Sequence, residues 1–316
     1  MGKVIAFMAL LVVSLFGTQL HPVKSYKVHG NINDIVYNGG RLYVGTSEGH
    51  VDVLDHKSGK IVREITLSKI KDFMGDTIDS EVFSVDVGKA GILILSQDFD
   101  GYSRLDLYEN GKLEHLISKK DKLYIVKAKF VTADRVLLGQ LSNVYTLYDI
   151  KSQKHIWDVQ VTTSKFSDFA FDDAKKRAAT ADESGVMNII SLKDGKTLRH
   201  YESVNRDEVF KIDWKKHRII TAGKDKRVGL YRDDSYSTSY KDYGFFIYCV
   251  GLSKDAKLGA ASINDKNDVA VFDTVSKEDR YQLVGNRSKI TSIIFLNDKE
   301  VLVAANNNTI NLFKLP

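Results

Sequence analysis

The sequence predicts an all-β fold, a seven-bladed β-propeller of four-stranded blades, and three observations carry that prediction. A short alternating run after a tight turn recurs seven times, as HVDVLD, SRLDLYE, VYTLYD, VMNIIS, RVGLYR, DVAVFD and TINLFK. Taking the second inward apolar residue of each as reference gives Val53, Leu107, Leu147, Ile189, Leu230, Val271 and Leu312, at spacings of 54, 40, 42, 41, 41 and 41 residues. Each run also stands third in a fixed order of four segments, and seven such units fill residues 32–316 with no remainder. Period-2 alternation bounded by Gly, Asn and Asp turns marks strands, and four strands every 40 or so residues is the signature of a propeller blade.

The first 22 residues stand apart from this array. Met1-Gly-Lys3 is a short basic start, Val4–Gly17 is an apolar core, and no acidic residue precedes Asp34. The apolar run falls short of the roughly 20 residues of a membrane span, so we expect a signal peptide and a periplasmic protein with no transmembrane span in the mature chain. Cleavage is expected between 17 and 25, with Val23-Lys24-Ser25 a passable site. No Cys follows the apolar core, which argues against a lipid anchor.

The blades are expected near 32–67, 81–118, 123–162, 165–204, 208–242, 245–285 and 289–316. Each opens with an apolar segment next to the axis (NDIVY, FSVDV, VKAKF, SDFAF, FKIDW, YCVGL, TSIIF). A second segment rich in small residues follows (LYVGTS, ILILSQ, VLLGQL, AATADE, IITAGK, GAASIN, VLVAAN), then the reference run, then an outer segment such as IVREITL or KHIWDVQV. The seventh unit supplies only three strands. Val23–Gly30, which precedes the first axial strand without a blade of its own, is expected to pair with Ile310–Leu315 and close the ring. That pairing would cover an edge open to other chains.

The first spacing exceeds the others by about 13 residues, and the excess falls in SKIKDFMGDTIDS (Ser68–Ser80). Inserted loops on a rigid scaffold are where function tends to sit. Phe73 and Met74 are apolar within a charged loop, so Lys69, Lys71, Phe73 and Met74 are candidate partner contacts.

Aligning the axial segments gives two polar columns. One reads Asp34, Ser84, Lys127, Asp168, Lys211, Cys249 and Ser292; the other, two residues along, reads Val36, Asp86, Lys129, Ala170, Asp213, Gly251 and Ile294. Residues two apart share a face of a strand, so Asp34, Ser84, Lys127, Asp168, Lys211 and Ser292 are candidate channel-lining residues. Opposed charges there would pair with each other; the sharper alternative is a polar funnel for a small ligand or ion. A hydrolase with a metal on Asp34, Asp168 or Asp213 is a second reading of the same residues. No metal is expected, because no His falls in these columns, and no cofactor, because with only Trp157 and Trp214 the tryptophan docking motif of quinone-dependent propellers is missing. Asp98-Phe-Asp100-Gly101 is better explained by turn chemistry than by calcium.

No Walker loop, GxSxG elbow or HExxH helix occurs, so no catalytic residue is expected and the protein is read as a non-enzyme. Cys249 is the only cysteine, which excludes an internal disulfide and Cys-pair metal motifs. The chain has 46 basic and 41 acidic side chains. Loss of Lys3 and Lys24 with a leader removed through residue 25 would leave 44 against 41, a balance that gives no reason to expect nucleic acid.

The third-strand ends Leu54-Asp55, Tyr148-Asp149 and Phe272-Asp273 resemble the Trp-Asp ends of WD-repeat proteins. Ile190-Ser191 and Tyr231-Arg232 depart from the pattern, the Gly-His element is missing, and the sole Trp-Asp, Trp157-Asp158, lies in a fourth strand. With its leader-like opening, and over LYVGTSEGHVDVLDHKSGKIV (Leu42–Val62), AATADESGVMNIISLKDGKTLRHY (Ala178–Tyr201) and AGKDKRVGLYRDD (Ala222–Asp234), the chain resembles the NapL-type accessory proteins encoded with periplasmic nitrate reductase. The resemblance implies a periplasmic helper in nitrate respiration that contacts the reductase subunits or their redox partners, with no catalytic or cofactor residues to carry over; the protein is expected to be a monomer. A general periplasmic assembly scaffold is the remaining alternative.

Overall fold

A computed structural model describes residues 17–316. The expected leader falls mostly on residues 1–16, outside the described residues. Seven sheets follow one another around an axis, each built of antiparallel strands that run in chain order from axis to rim, except that N-terminal strands occupy the rims of blades 6 and 7. Blade 1 shows the plan: β3 (Ile32–Asn38), β4 (Arg41–Thr46), β5 (His50–Asp55) and β6 (Ile61–Thr66). The seven reference runs all form third strands, at 50–55, 103–109, 144–149, 187–191, 227–232, 269–273 and 309–314. Among the described residues, no helix is long and apolar enough to cross a membrane.

The core lies between blades, where apolar residues of one sheet meet those of the next. Tyr26, Ile35, Leu42, Leu54, Ile310 and Leu312, for example, form one cluster across blades 7 and 1. Small residues in second strands permit this approach. A Cβ on Gly45 would lie 2.5 Å from Val82 of blade 2, and one on Gly139 would lie 2.3 Å from Phe166 of blade 4.

The ring closes as expected. The strand β2 (Lys24–Lys27) runs antiparallel to the last third strand, with Lys24 opposite Leu312 and Lys27 opposite Thr309. The pairing therefore covers Thr309–Leu312 rather than reaching Leu315. Leu315 instead packs into the core between blades 6 and 7.

One strand departs from the expected plan. The strand β1 (Thr18–Leu20) adds to the rim of blade 6, parallel to Asp279–Leu283. Its sequence, TQL, lies inside the expected leader, and three residues are too few for a periodic signal. Gly17 is needed at its start, because a Cβ there would lie 2.4 Å from the backbone of Arg280. Cleavage after residue 22 would discard this strand, whereas cleavage at 17 would keep it.

The insertion folds as a small hairpin of β7 (Ile70–Lys71) and β8 (Thr77–Ile78). Asp72 shapes its turn by accepting backbone N–H bonds from Met74 and Asp76, both at 2.9 Å. Gly75 occupies the left-handed region at φ 88°. Ile70 is buried, and its strand packs against the turn Phe99–Gly101 of blade 2.

Candidate functional site

A repeated irregularity of the inner strands positions the axial side chains. In blades 1 to 5 and 7 the pairing of first and second strands slips by one residue, leaving Asn33, Phe83, Val126, Ser167, Phe210 and Thr291 as bulged residues. The next residue in each case is a predicted channel residue: Asp34, Ser84, Lys127, Asp168, Lys211 or Ser292. A β-bulge bends its strand and re-aims the side chains beside it, and here it does so around the axis. The adjacent polar pairs Asn33-Asp34, Ser167-Asp168 and Thr291-Ser292 break strict alternation and are the sequence trace of the bulges.

Two cavities open along the axis. A larger one of about 470 Å³ faces the turns between first and second strands. A smaller one of about 260 Å³ faces the blade-to-blade connections. Asp34, Lys127, Asp168 and Lys211 line both, so they form a charged girdle where the cavities meet. Of the other predicted residues, Ser292 and Cys249 line the larger cavity and Ser84 the smaller. Ser84 is buried, and its hydroxyl donates to the Ala128 carbonyl of blade 3 at 3.2 Å.

The girdle charges hold blades together. Asp34 accepts the Val85 N–H of blade 2 at 3.0 Å and the Lys129 ammonium of blade 3 at 2.8 Å. Asp168 accepts the Ile212 N–H of blade 5 at 3.0 Å and the Lys127 ammonium at 2.5 Å. In the second column, Asp86 accepts the Phe130 N–H at 2.7 Å and Asp213 the Leu252 N–H at 2.8 Å. Each carboxylate thus binds a backbone donor of the next blade. Lys211 differs: among the described residues no acceptor lies within hydrogen-bonding distance of its ammonium.

These surroundings shift the titrations. Burial pushes the Asp34 carboxyl up, but the ammonium groups of Lys129, Lys211 and Lys127 outweigh it and hold Asp34 below its usual range. Lys127 is lowered, by burial first and by Lys129 and Lys211 as well, against the pull of Asp168. Burial also opposes the charge on Lys211, yet the carboxylates of Asp168 and Asp34 prevail and raise it. Burial pushes the Cys249 thiol up to about 12, so it is a neutral wall group rather than a nucleophile.

The predicted contact loop is displayed as a unit. Phe73 and Met74 are 83% and 73% exposed at the hairpin tip. Lys69 pairs with Asp79 at 2.7 Å and Lys71 donates to the Gly75 carbonyl at 3.2 Å, so both lysines brace the hairpin. By chain direction the same face carries Tyr124, Leu141 and Phe246, which are also exposed. Exposed Tyr236 and Val275 lie on the opposite face.

A further polar column escaped sequence reasoning. The residue before each third-strand reference is Asp52, Asp106, Thr146, Asn188 or Asn311 in five blades, and each bonds a polar side chain near the rim. Asp106 accepts from His115 at 2.5 Å, Thr146 pairs with Asp158 at 2.5 Å, Asn188 with His200 at 2.7 Å and Asn311 with Ser25 at 2.7 Å. In blade 1 the partner of Asp52 is His29, which follows the closing strand. The signal was a polar residue recurring at one fixed place in the array.

No protein-family model matches the chain, and no curated protein matches it.

Proposed function

We propose that the protein is a non-enzymatic interaction scaffold that binds a protein partner through the face carrying the β7–β8 hairpin. The observation that carries this reading is the display of Phe73 and Met74. A folded hairpin anchored by Ile70 holds two large apolar side chains in water, on the face that also exposes Tyr124, Leu141 and Phe246. Apolar groups gathered on one face favour a partner that covers them. The girdle supports a structural axis: its carboxylates are neutralised by lysines and engaged by neighbouring blades, which weighs against using them to hold a catalytic metal.

The finer reading is a periplasmic helper in the maturation of, or electron delivery to, a nitrate reductase. It rests on the leader-like opening and on the resemblance to NapL-type proteins, and it concerns a protein partner rather than nucleic acid. Capture of binding proteins from the periplasm of nitrate-grown cells tests both levels, with the wild-type chain compared against a Phe73→Ser/Met74→Ser double variant. We expect reductase subunits on the wild type and their loss on the double variant, with thermal stability unchanged. Capture of a different protein that the double variant also loses would keep the scaffold and discard the reductase. Equal capture by both chains would remove the hairpin face from consideration.

A further inference from the structure

We propose that the seam between the N-terminal closing strand and blade 1 is a binding site for a divalent first-row transition-metal ion of zinc's kind, held by His29, His50 and Glu64. One ligand atom from each of the three lies within 4.8 Å of the others, the only such trio among the described residues. His50 Nδ1 is 2.9 Å from Glu64 Oε1, and the His29 ring lies beside the same carboxylate, its Nδ1 3.9 Å from Glu64 Oε2; that nitrogen is engaged by Asp52, so Nε2 is the one that would ligate. The two imidazole rings stand 5.4 Å apart, centroid to centroid. Zinc bonds of about 2.0–2.1 Å in a tetrahedron place ligand atoms ~3.3 Å apart. Closing the trio to that spacing needs only small rotations of side chains that retain freedom, since His29 and Glu64 are 48% and 40% exposed.

Comparison within the molecule separates this trio from an ordinary hydrogen-bonded pair. His115 on the fourth strand of blade 2 meets a single carboxylate, Asp106 of the third strand, and His155 meets a single carboxylate, Asp158, on its own fourth strand. In blade 1 two imidazoles converge on one carboxylate. A second carboxylate, Asp52, stands behind them, fully buried, accepting the His29 backbone N–H at 2.7 Å and lying 3.1 Å from His29 Nδ1. An outer carboxylate that orients a histidine is the usual support of a metal ligand. Two imidazoles and a carboxylate suit zinc, copper or nickel, whereas calcium and magnesium take oxygen ligands.

The position gives the ion a task. His29 follows the strand that completes blade 7, while His50 and Glu64 belong to β5 and β6 of blade 1. An ion here ties the two ends of the ring together, and β6 ends just before the displayed hairpin begins.

The test is titration of the full-length protein, stripped of metal, with zinc chloride in a calorimeter. We expect one zinc per chain. Glu64→Gln and His50→Ala should each weaken it by at least ~10-fold, while His155→Ala, which breaks a comparable single pair, should leave it unchanged. Zinc should raise the thermal midpoint of the wild type but not of Glu64→Gln, and cupric ion in its place should show nitrogen coupling from two imidazoles by electron paramagnetic resonance. Absence of zinc binding, zinc binding unaffected by both ligand variants, or calcium binding of equal strength would each overturn the proposal. Glu64→Gln preserves the shape of the side chain, so a loss there cannot be assigned to misfolding.

Discussion

Asp168 and Lys211 face the same axial space and illustrate opposite situations for a charged side chain. Asp168 is almost fully buried and engaged by both the Lys127 ammonium and the Ile212 N–H. Breaking such a pair strands a charge and a backbone donor, so Asp168→Ala should destabilise the ring by about 3 kcal/mol in urea unfolding. Lys211 has no such bond to lose. Its charge acts at a distance, as one of three that hold Asp34 below the usual carboxyl range. A carboxyl depressed in the folded state contributes stability above its unfolded pKa of 3.8, and that contribution is lost as pH falls through the lower folded value. Lys211→Met should therefore narrow the window and shift the acid limb of stability to higher pH, as read by urea midpoints between neutral and acid pH. An acid limb that stays in place would show that Lys211 does not act on Asp34. At this scale the channel residues were legible in the sequence because residues two apart share a strand face. The bulges that aim them left a trace only in the adjacent polar pairs of three blades, because in the other three the bulged residue, Phe83, Val126 or Phe210, is apolar and keeps the alternation. The third-strand polar column was overlooked for a different reason: its partners lie in other strands or in the N-terminal segment, and only the register shows which meet.

The closing strand β2 shows what a single element contributes. Tyr26 is 1% exposed and packs with Leu42, Leu54, Ile310 and Leu312, while its hydroxyl lies 2.8 Å from His56 Nδ1. Burial raises the phenol to about 12, with smaller contributions from Glu300 and neighbouring groups, so the ring stays neutral in its apolar seat. Tyr26→Ala removes a large buried aromatic and should cost about 3 kcal/mol. Tyr26→Phe forfeits only the hydroxyl contact and should cost about 1 kcal/mol. Both are read by thermal or urea unfolding, and a Tyr26→Ala loss no larger than that of Tyr26→Phe would mean that the strand frays without consequence. This element was legible by counting, because the seventh unit lacked a fourth strand and one unassigned segment remained. The hairpin of β7 and β8 was legible only as surplus length, since strands of two residues carry no period.

Across the whole molecule, the N-terminal segment behaves as a belt over three consecutive blades. Residues 18–20 extend the rim of blade 6, residues 24–27 complete blade 7, and His29 reaches Asp52 of blade 1. Elsewhere each blade is joined to the next by its connecting loop and by side-chain contacts across the core, and from blade 1 through blade 6 also by the axial carboxylates. The junction of blades 7 and 1 has no peptide connection except through this belt. Chains truncated at its two natural joints therefore separate its parts. A form beginning at Pro22 loses β1, with the Val284 N–H bond to the Leu20 carbonyl at 3.0 Å, but keeps the closing pairing. It should unfold in one cooperative transition, less stable by no more than about 2 kcal/mol. A form beginning at Asn31 also exposes the edge of Thr309–Lys314 and the apolar cluster under Tyr26. It should lose a far larger share of its stability and acquire a tendency to self-associate through that edge. Calorimetry and sedimentation of the two forms check this directly. If the form beginning at Asn31 matches the form beginning at Pro22 in both measurements, the ring is held by its blade-to-blade core alone and the belt is not what closes it.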